Sequence, residues 1–466
     1  MALALGIDIG TTNTKVALVD VGEPEVRAVA SAPTPAPGEL KGVLLELIGR
    51  VLAGAAAPEA VGIASMAETG VPLNASQEPM SPWLRWDNGE AGAAADGLAS
   101  RLGREQLIGA TGVRPSAKVP LAKLAWLREH RPEVWRGMTA WAGVADLACL
   151  LLTGQLATDH TLAGRTMAYR LASPLPEAFD ADLLAEVGLR PAQLPAVVPP
   201  GEIAGRVTDP DFAASGLRAG TPVVVAGHDH QVGAYACGVR SPGDVADSVG
   251  TAEAVMTVVS GHPDPVRVGR AGMSSVVTVG GRHRAILAGS AGAGATIAWW
   301  LTREPDTFGE VPALGDDPTG VLVLPYLTGR QTPAPDSGAR FRVIGRRPEH
   351  RPAELAKALL EGLSLHARWM LDEQLRLAGE TAAPSVFLFG APVAANPAWV
   401  RVKAHVQPTG VRVVREPEPV AAGAALLAAV RAGVGPGQVL ASETVPGGGA
   451  AYDAMLARFV HAAVLE

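Results

Sequence analysis

Two β-rich runs, Leu3 to Ile9 and Thr14 to Val19, are joined by Gly10-Thr11-Thr12-Asn13. The same order returns near the middle of the chain, where Val245 to Val249 and Ala254 to Val259 flank Gly250-Thr251. Glycine and asparagine supply the turn chemistry of a hairpin. In each copy an aspartate, Asp8 or Asp247, stands shortly before the turn, as a duplicated α/β core would show. A chain of 466 residues is longer than one core usually spans, so two domains are expected, residues 1–240 and 241–466.

Between the hairpins, helix and strand patterns alternate. Leu40, Leu44, Leu45, Leu47 and Val51 predict an amphipathic helix between Gly38 and Gly54, and Ala60 to Ala64 returns to strand. Leu121 to His130 and Ala140 to Leu152 read as helices, and Pro191 to Pro200 as a loop. Thr221 to Ala226 is a largely β-branched run that stops at Gly227-His228-Asp229-His230. In the second half, strands are expected at Ser274 to Val279, Arg284 to Leu287 and Phe387 to Phe389. Helices are expected at about Ala293 to Leu301, Ala353 to Leu377, Asn396 to Val406 and Val420 to Val430.

Composition narrows the class. Hydrophobic residues make up 48% and charged residues 18%, as in compact globular chains. A net charge of -7 offers no broad surface for nucleic acid or an anionic membrane. Cys149 and Cys237 lie in alanine-rich surroundings without metal-ligand spacing, so they read as core thiols in a reducing cytoplasm. Met1 to Leu5 lacks a basic flank and is soon interrupted by Asp8, so it reads as a buried first strand and not as a signal peptide. No apolar run reaches the ~20 residues of a membrane span.

The turn Gly10-Thr11-Thr12-Asn13 offers backbone N–H groups and small polar side chains suited to phosphate oxygens. Asp8 can hold Mg²⁺ through water, and Lys15 can approach terminal phosphates. Asp229, at the end of an apolar strand, is either a capping or salt-bridged aspartate or a carboxylate that takes a proton from a hydroxyl. Pro82 to Glu90 is dense in groups that bind a sugar or polyol, with Trp86 as a wall. Glu68, in Ser65-Met66-Ala67-Glu68-Thr69-Gly70, is either a pocket carboxylate or an ordinary exposed glutamate, and His230 either touches substrate or orients Asp229 or is purely structural.

With these motifs in this order, the chain resembles the carbohydrate kinases of the FGGY family, in the sugar-kinase and actin superfamily. The motifs are Gly6-Ile-Asp8-Ile-Gly10-Thr11-Thr12-Asn13-Thr14-Lys15, Thr221 to Gln231, Asp247-Ser-Val-Gly250-Thr251, Leu324-Pro-Tyr-Leu-Thr-Gly329 and Glu361-Gly362-Leu363. The resemblance implies an α/β fold of two ribonuclease H-like, actin-like ATPase domains with an inter-domain cleft. It also implies phosphorylation of a small sugar or polyol by ATP and Mg²⁺, with Asp229 as general base. Gly250 and Thr251 would form the second phosphate loop, and Gly390 and Asn396 would lie at the adenosine.

Some residues depart from the family pattern. Asn88 and Glu90 stand where the family has Asp and Arg after Trp86, and Ala391 and Pro392 stand where it has further glycines. These departures keep open a catalytically weak nucleotide or sugar sensor on the same fold. The expected partner is a small molecule, with no nucleic acid and no membrane, and assembly as a homodimer stays open.

Overall fold

The structure is a computed structural model that describes residues 2–305, 307–381 and 384–465. Met1, the first residue of the expected opening strand, lies outside the described residues. The chain divides into two compact units. One holds the residues up to Ala236, Ser275–Arg282 and Glu418–Leu440, and the other holds Cys237–Ser274, His283–Pro417 and the residues from Ala441 on. The first break thus falls just before the expected boundary at 240, while residues 418–440 group with the first unit and not with the second half of the sequence.

In the first unit, Leu3–Ile9 and Asn13–Asp20 form the expected hairpin, with Asp8 opposite Lys15. Ala60–Ser65 and Pro222–His228 follow in parallel, and Glu25–Pro33 adds an antiparallel edge that was not expected from the sequence. Leu5, Ile7 and Ile9 pack with Leu44, Leu47 and Ile48 of the helix Leu40–Leu52 on one face of the sheet.

On the other face lies the helix Pro419–Arg431, whose alanine-rich sequence lets it approach closely. A Cβ on Gly6 would lie 1.8 Å from the carbonyl oxygen of Ala421, and one on Gly62 would lie 1.9 Å from that of Ala424. This contact between bare backbone and small side chains is why residues 418–440 belong with strands that lie more than 350 residues earlier, those of Gly6 and Gly62.

Two expectations change. Ala140 to Leu152 is not one helix: Ala140–Gly143 is a strand paired with Gly70–Leu73, and the helix is Val144–Thr153. Asp146 accepts from the Gly143 N–H at 2.7 Å, a helix start that a continuous apolar run conceals. Within Pro191 to Pro200, Ala196–Val198 is a short strand because Ala157–Asp159 pairs with it in parallel.

The second unit repeats the order. Asp244–Val249 and Glu253–Val259 form an antiparallel hairpin, Arg284–Ser290 continues beside the latter, and Ser385–Phe389 and Val411–Val414 run parallel to Asp244–Val249 on the other side. Each sheet therefore contains a run of three antiparallel strands followed by two parallel ones, with Gly205–Arg206 added to the first sheet and Ser274–Val277 and Ser442–Val445 to the second, the α/β order of a ribonuclease H-like domain. The long helix Pro352–Ala378 buries Leu355, Leu359, Leu363 and Met370 against this sheet.

The close approach of the helix gives a test. Gly62→Ala forces its new methyl group into the Ala424 carbonyl and is expected to cost about 3 kcal/mol or more. Gly49→Ala, inside the helix Leu40–Leu52 with open space around it, is expected to stabilise by roughly 0.5–1 kcal/mol. Thermal unfolding of the two variants beside wild type should move in opposite directions.

Candidate active site

Asp229 owes its position to a local irregularity. The strand Pro222–His228 slips in register against Ala60–Ser65 between Val225 and Gly227, a bulge that bends the strand and re-aims its last residues. Gly227 has φ +127°, and a Cβ there would lie 2.3 Å from Thr161 Oγ1 and 2.9 Å from Asp159 Oδ1, so only glycine fits. The His228 N–H then donates to Thr161 Oγ1 at 2.9 Å, and Asp229 opens the helix Asp229–Cys237.

Asp159 anchors this corner. It accepts from the Thr161 N–H at 2.8 Å and from Arg431 at 3.2 Å, and lies 3.3 Å from His160 Nδ1. Burial raises the Asp159 carboxyl, but the neighbouring His160 charge and hydrogen bond, with Arg431, outweigh it and hold the group well below the usual carboxylate range.

Asp229 Oδ1 accepts from the His230 N–H at 2.6 Å and lies 3.2 Å from His228 Nε2. Burial, with repulsion from His230 and Arg165, holds the His228 imidazole neutral. The more exposed His230 ring lies 3.9 Å from the same oxygen. The carboxylate is thus fixed through one oxygen at the end of a parallel strand.

Asp8 ends the neighbouring side of the same sheet. Its carboxyl is pushed up to about 8 by burial, then by the charge of Asp229, with Glu418 adding to the rise and Lys15 opposing it. Asp8 Oδ1 is buried without a partner. Lys15 is bound to Glu418 at 2.5 Å, so its ammonium is already engaged. Glu418 is invisible in the sequence because the residues around it carry no local signal and its partner lies 403 positions away.

In the turn, the Gly10 N–H donates to Asn13 O at 3.0 Å, and Thr12 and Asn13 are exposed. Thr11 points elsewhere: its Oγ1 accepts from Trp86 Nε1 at 2.7 Å. Trp86 is also fixed by its backbone N–H, which donates to Thr69 Oγ1 at 3.0 Å, so the ring stands beside the turn.

Glu68 adopts a left-handed φ of +66° and binds Arg165 at 2.6 Å, while its carbonyl accepts from Lys123. Asn88 and Glu90 are exposed and bond to each other, Asn88 Nδ2 to Glu90 Oε2 at 2.9 Å, in a local turn. Asp87, between them and Trp86, is held below the usual range by a paired contact with Arg85.

In the second unit, the Gly250–Thr251 turn is braced from below. Lys403 is buried between Asp247 and Glu253, one on each strand of the hairpin, and these carboxylates keep it charged despite burial. The N–H groups of Gly294 and Ala295 donate to Gly250 O and Thr251 O at 3.1 and 3.0 Å. Gly390 has φ +119°, and a Cβ there would lie 2.0 Å from Val249 O. Ala391 and Pro392 form the first turn of the helix Ala391–Ala395, where proline is well tolerated. Asn396 caps the helix Pro397–Val406 by accepting from the Trp399 N–H at 3.1 Å.

The raised Asp8 group has a signed consequence. Between its ordinary 3.8 and about 8 the folded chain keeps a proton that the unfolded chain has released. Its contribution to stability is therefore full below 3.8 and is lost as pH rises through about 8. In metal-free buffer, Asp8→Asn should flatten this part of the curve of melting temperature against pH. An unchanged slope would contradict the assignment.

Comparison with known proteins agrees with this reading of the fold and motifs. Residues 3–236 match the model of the FGGY family of carbohydrate kinases, N-terminal domain, and residues 245–432 match the C-terminal domain of that family. A xylulose kinase of Streptomyces rubiginosus is 31% identical over 445 residues, covering 92% of this chain and 87% of that protein. A gluconokinase of Bacillus subtilis is 22% identical over 391 residues, covering 77% and 74%. Among solved structures, the xylulose kinase from Rhodospirillum rubrum superposes with a TM-score of 0.85 at 24% identity, covering 99% of this chain and 98% of that one. With both halves matched in order, the chain belongs to the FGGY family of carbohydrate kinases.

Proposed function

We propose that this kinase transfers the γ-phosphoryl group of ATP to a hydroxyl of a small sugar or polyol, with Asp229 receiving the hydroxyl proton. The observation that carries the reading is the Asp229 carboxylate, anchored through Oδ1 at the C-terminal end of a parallel strand, where α/β sheets receive ligands. The acceptor oxygen bonds to the γ-phosphorus, the bond from that phosphorus to its bridging oxygen breaks, ADP leaves, and the proton passes to Asp229.

The roles of the other residues come from their settings. Asp8 Oδ1, buried and unpartnered where carboxylates outnumber ammonium groups, fits a hard divalent cation held through water. Magnesium bound there neutralises phosphate charge. Gly10, Thr12 and Asn13 offer the first phosphate turn, Thr11 orients Trp86 beside it, and Lys15 reaches a phosphate by exchanging its contact with Glu418. Gly250 and Thr251 offer the second turn, and Gly390 and Asn396 the adenosine end. No helix of the described residues is long and apolar enough to cross a membrane, and both cysteines are buried and free, which fits a reducing cytoplasm.

Acceptor-dependent ADP release tests the proposal. Asp229→Ala should lower kcat by about 10²- to 10⁴-fold while ATP affinity measured by calorimetry is kept. Near-wild-type turnover would contradict the role of Asp229. Nucleotide binding without ADP release for any pentose, hexose, ketose or polyol would support the sensor reading instead. Magnesium should also raise the melting temperature of wild type more at pH 8 than at pH 6, and this increment should vanish in Asp8→Asn.

A further inference from the structure

We propose that the preferred acceptor is an anionic sugar bearing a carboxylate, and that Lys118 is the residue that selects it. The inference rests on the kinase reading above for its place in the molecule and deepens it by naming the substrate class.

Lys118 Nζ lies 5.1 Å from the centroid of the Trp86 ring, which hydrogen-bonds to Thr11 in the phosphate turn. The ammonium is half-buried and makes no hydrogen bond or ion pair among the described residues. Burial lowers its affinity for a proton. Glu68 and Asp87 attract it, while Arg165 and Arg114 repel it.

The two carboxylates nearby are already matched. Glu68 binds Arg165 at 2.6 Å, and Asp87 takes two bonds from Arg85 at 2.9 and 2.8 Å. Lys123 is buried and donates to the carbonyls of Glu68 and Leu84, a structural bridge that adds a further positive charge. Arg165 keeps Nε and Nη1 buried without a partner.

Five cations, Arg85, Arg114, Lys118, Lys123 and Arg165, therefore stand against two occupied carboxylates. A neutral polyol presents hydroxyls that donate as well as accept, and it needs acceptors in its site. Here Lys118 and the unpartnered Arg165 Nε and Nη1 are donors only. A ligand carboxylate accepts only, so it matches donors that carry a positive charge. Beside the ring of Trp86, Lys118 would bind that carboxylate, and the proposal requires that a hydroxyl of the same molecule reach Asp229.

The test uses the full chain and acceptors with matched carbon skeletons: gluconate with glucose and glucitol, and xylonate with xylulose and xylitol. Wild type should give the higher kcat/KM on the acid of each set. Lys118→Gln should lower the acid-over-neutral ratio of kcat/KM by about tenfold, as expected for a lost charge-assisted hydrogen bond. Lys118→Arg should retain most of that ratio.

Preference for the neutral member in both sets would overturn the inference. So would a Lys118→Gln effect that falls equally on all acceptors or on the KM for ATP. Calorimetry separates this from the kinase reading. Sugar-acid binding that depends on Lys118, without ADP release, would support the inference and overturn the kinase reading. Absence of sugar-acid binding, with neutral sugars turned over, would do the reverse.

Discussion

Burial and the charges of Asp229 and Glu418 raise the Asp8 carboxyl against one opposing ammonium, Lys15, which is itself bound to Glu418. Burying Asp8 as an anion is unfavourable without a compensating cation. The protein leaves it without a partner and gives Lys15 to Glu418. The result is a buried carboxyl that holds its proton more tightly than an ordinary aspartate. The arrangement depends on backbone contact, because Glu418 reaches Lys15 only when the helix Pro419–Arg431 lies against Gly6 and Gly62.

A second constraint sets Asp229. The strand that carries it would continue straight were it not for the bulge at Gly227, and that bulge is held by Thr161 and Asp159, themselves tied to Arg431 on the same helix. One helix thus supports the corner beneath Asp229 through Arg431 and the charge beside Asp8 through Glu418. Rigid positioning of this kind would let a single carboxylate act with little reorganisation cost, as the proposed role of Asp229 requires.

Much of this was legible in the sequence, and the reasons are local. The hairpin at Gly10 and its echo at Gly250 follow from turn chemistry and alternating apolar residues, and Asp229 was visible as the polar end of a β-branched run. The features that escaped depended on contacts between distant segments. Nothing around Glu418 announces Lys15, and Lys118 looks like any surface lysine until Trp86 is placed beside it. The strand Ala140–Gly143 was hidden because an apolar run serves strand and helix equally. Asn88 and Glu90, read from motif position, bond to each other at the surface, whereas Asp87 and Arg165 carry the charges near Trp86 and Glu68. Ala391 and Pro392 gained a meaning from the fold, as the first turn of a short helix after an irreplaceable Gly390.

The central claim is that Asp229 acts in the chemical step and not in binding or release. A rapid-quench single-turnover experiment, with enzyme in excess over ATP and a saturating acceptor, isolates that step. Phosphorylated product should form at least about a hundredfold more slowly in Asp229→Asn than in wild type, with the final amplitude unchanged. Equal single-turnover rates for the two proteins would contradict the account.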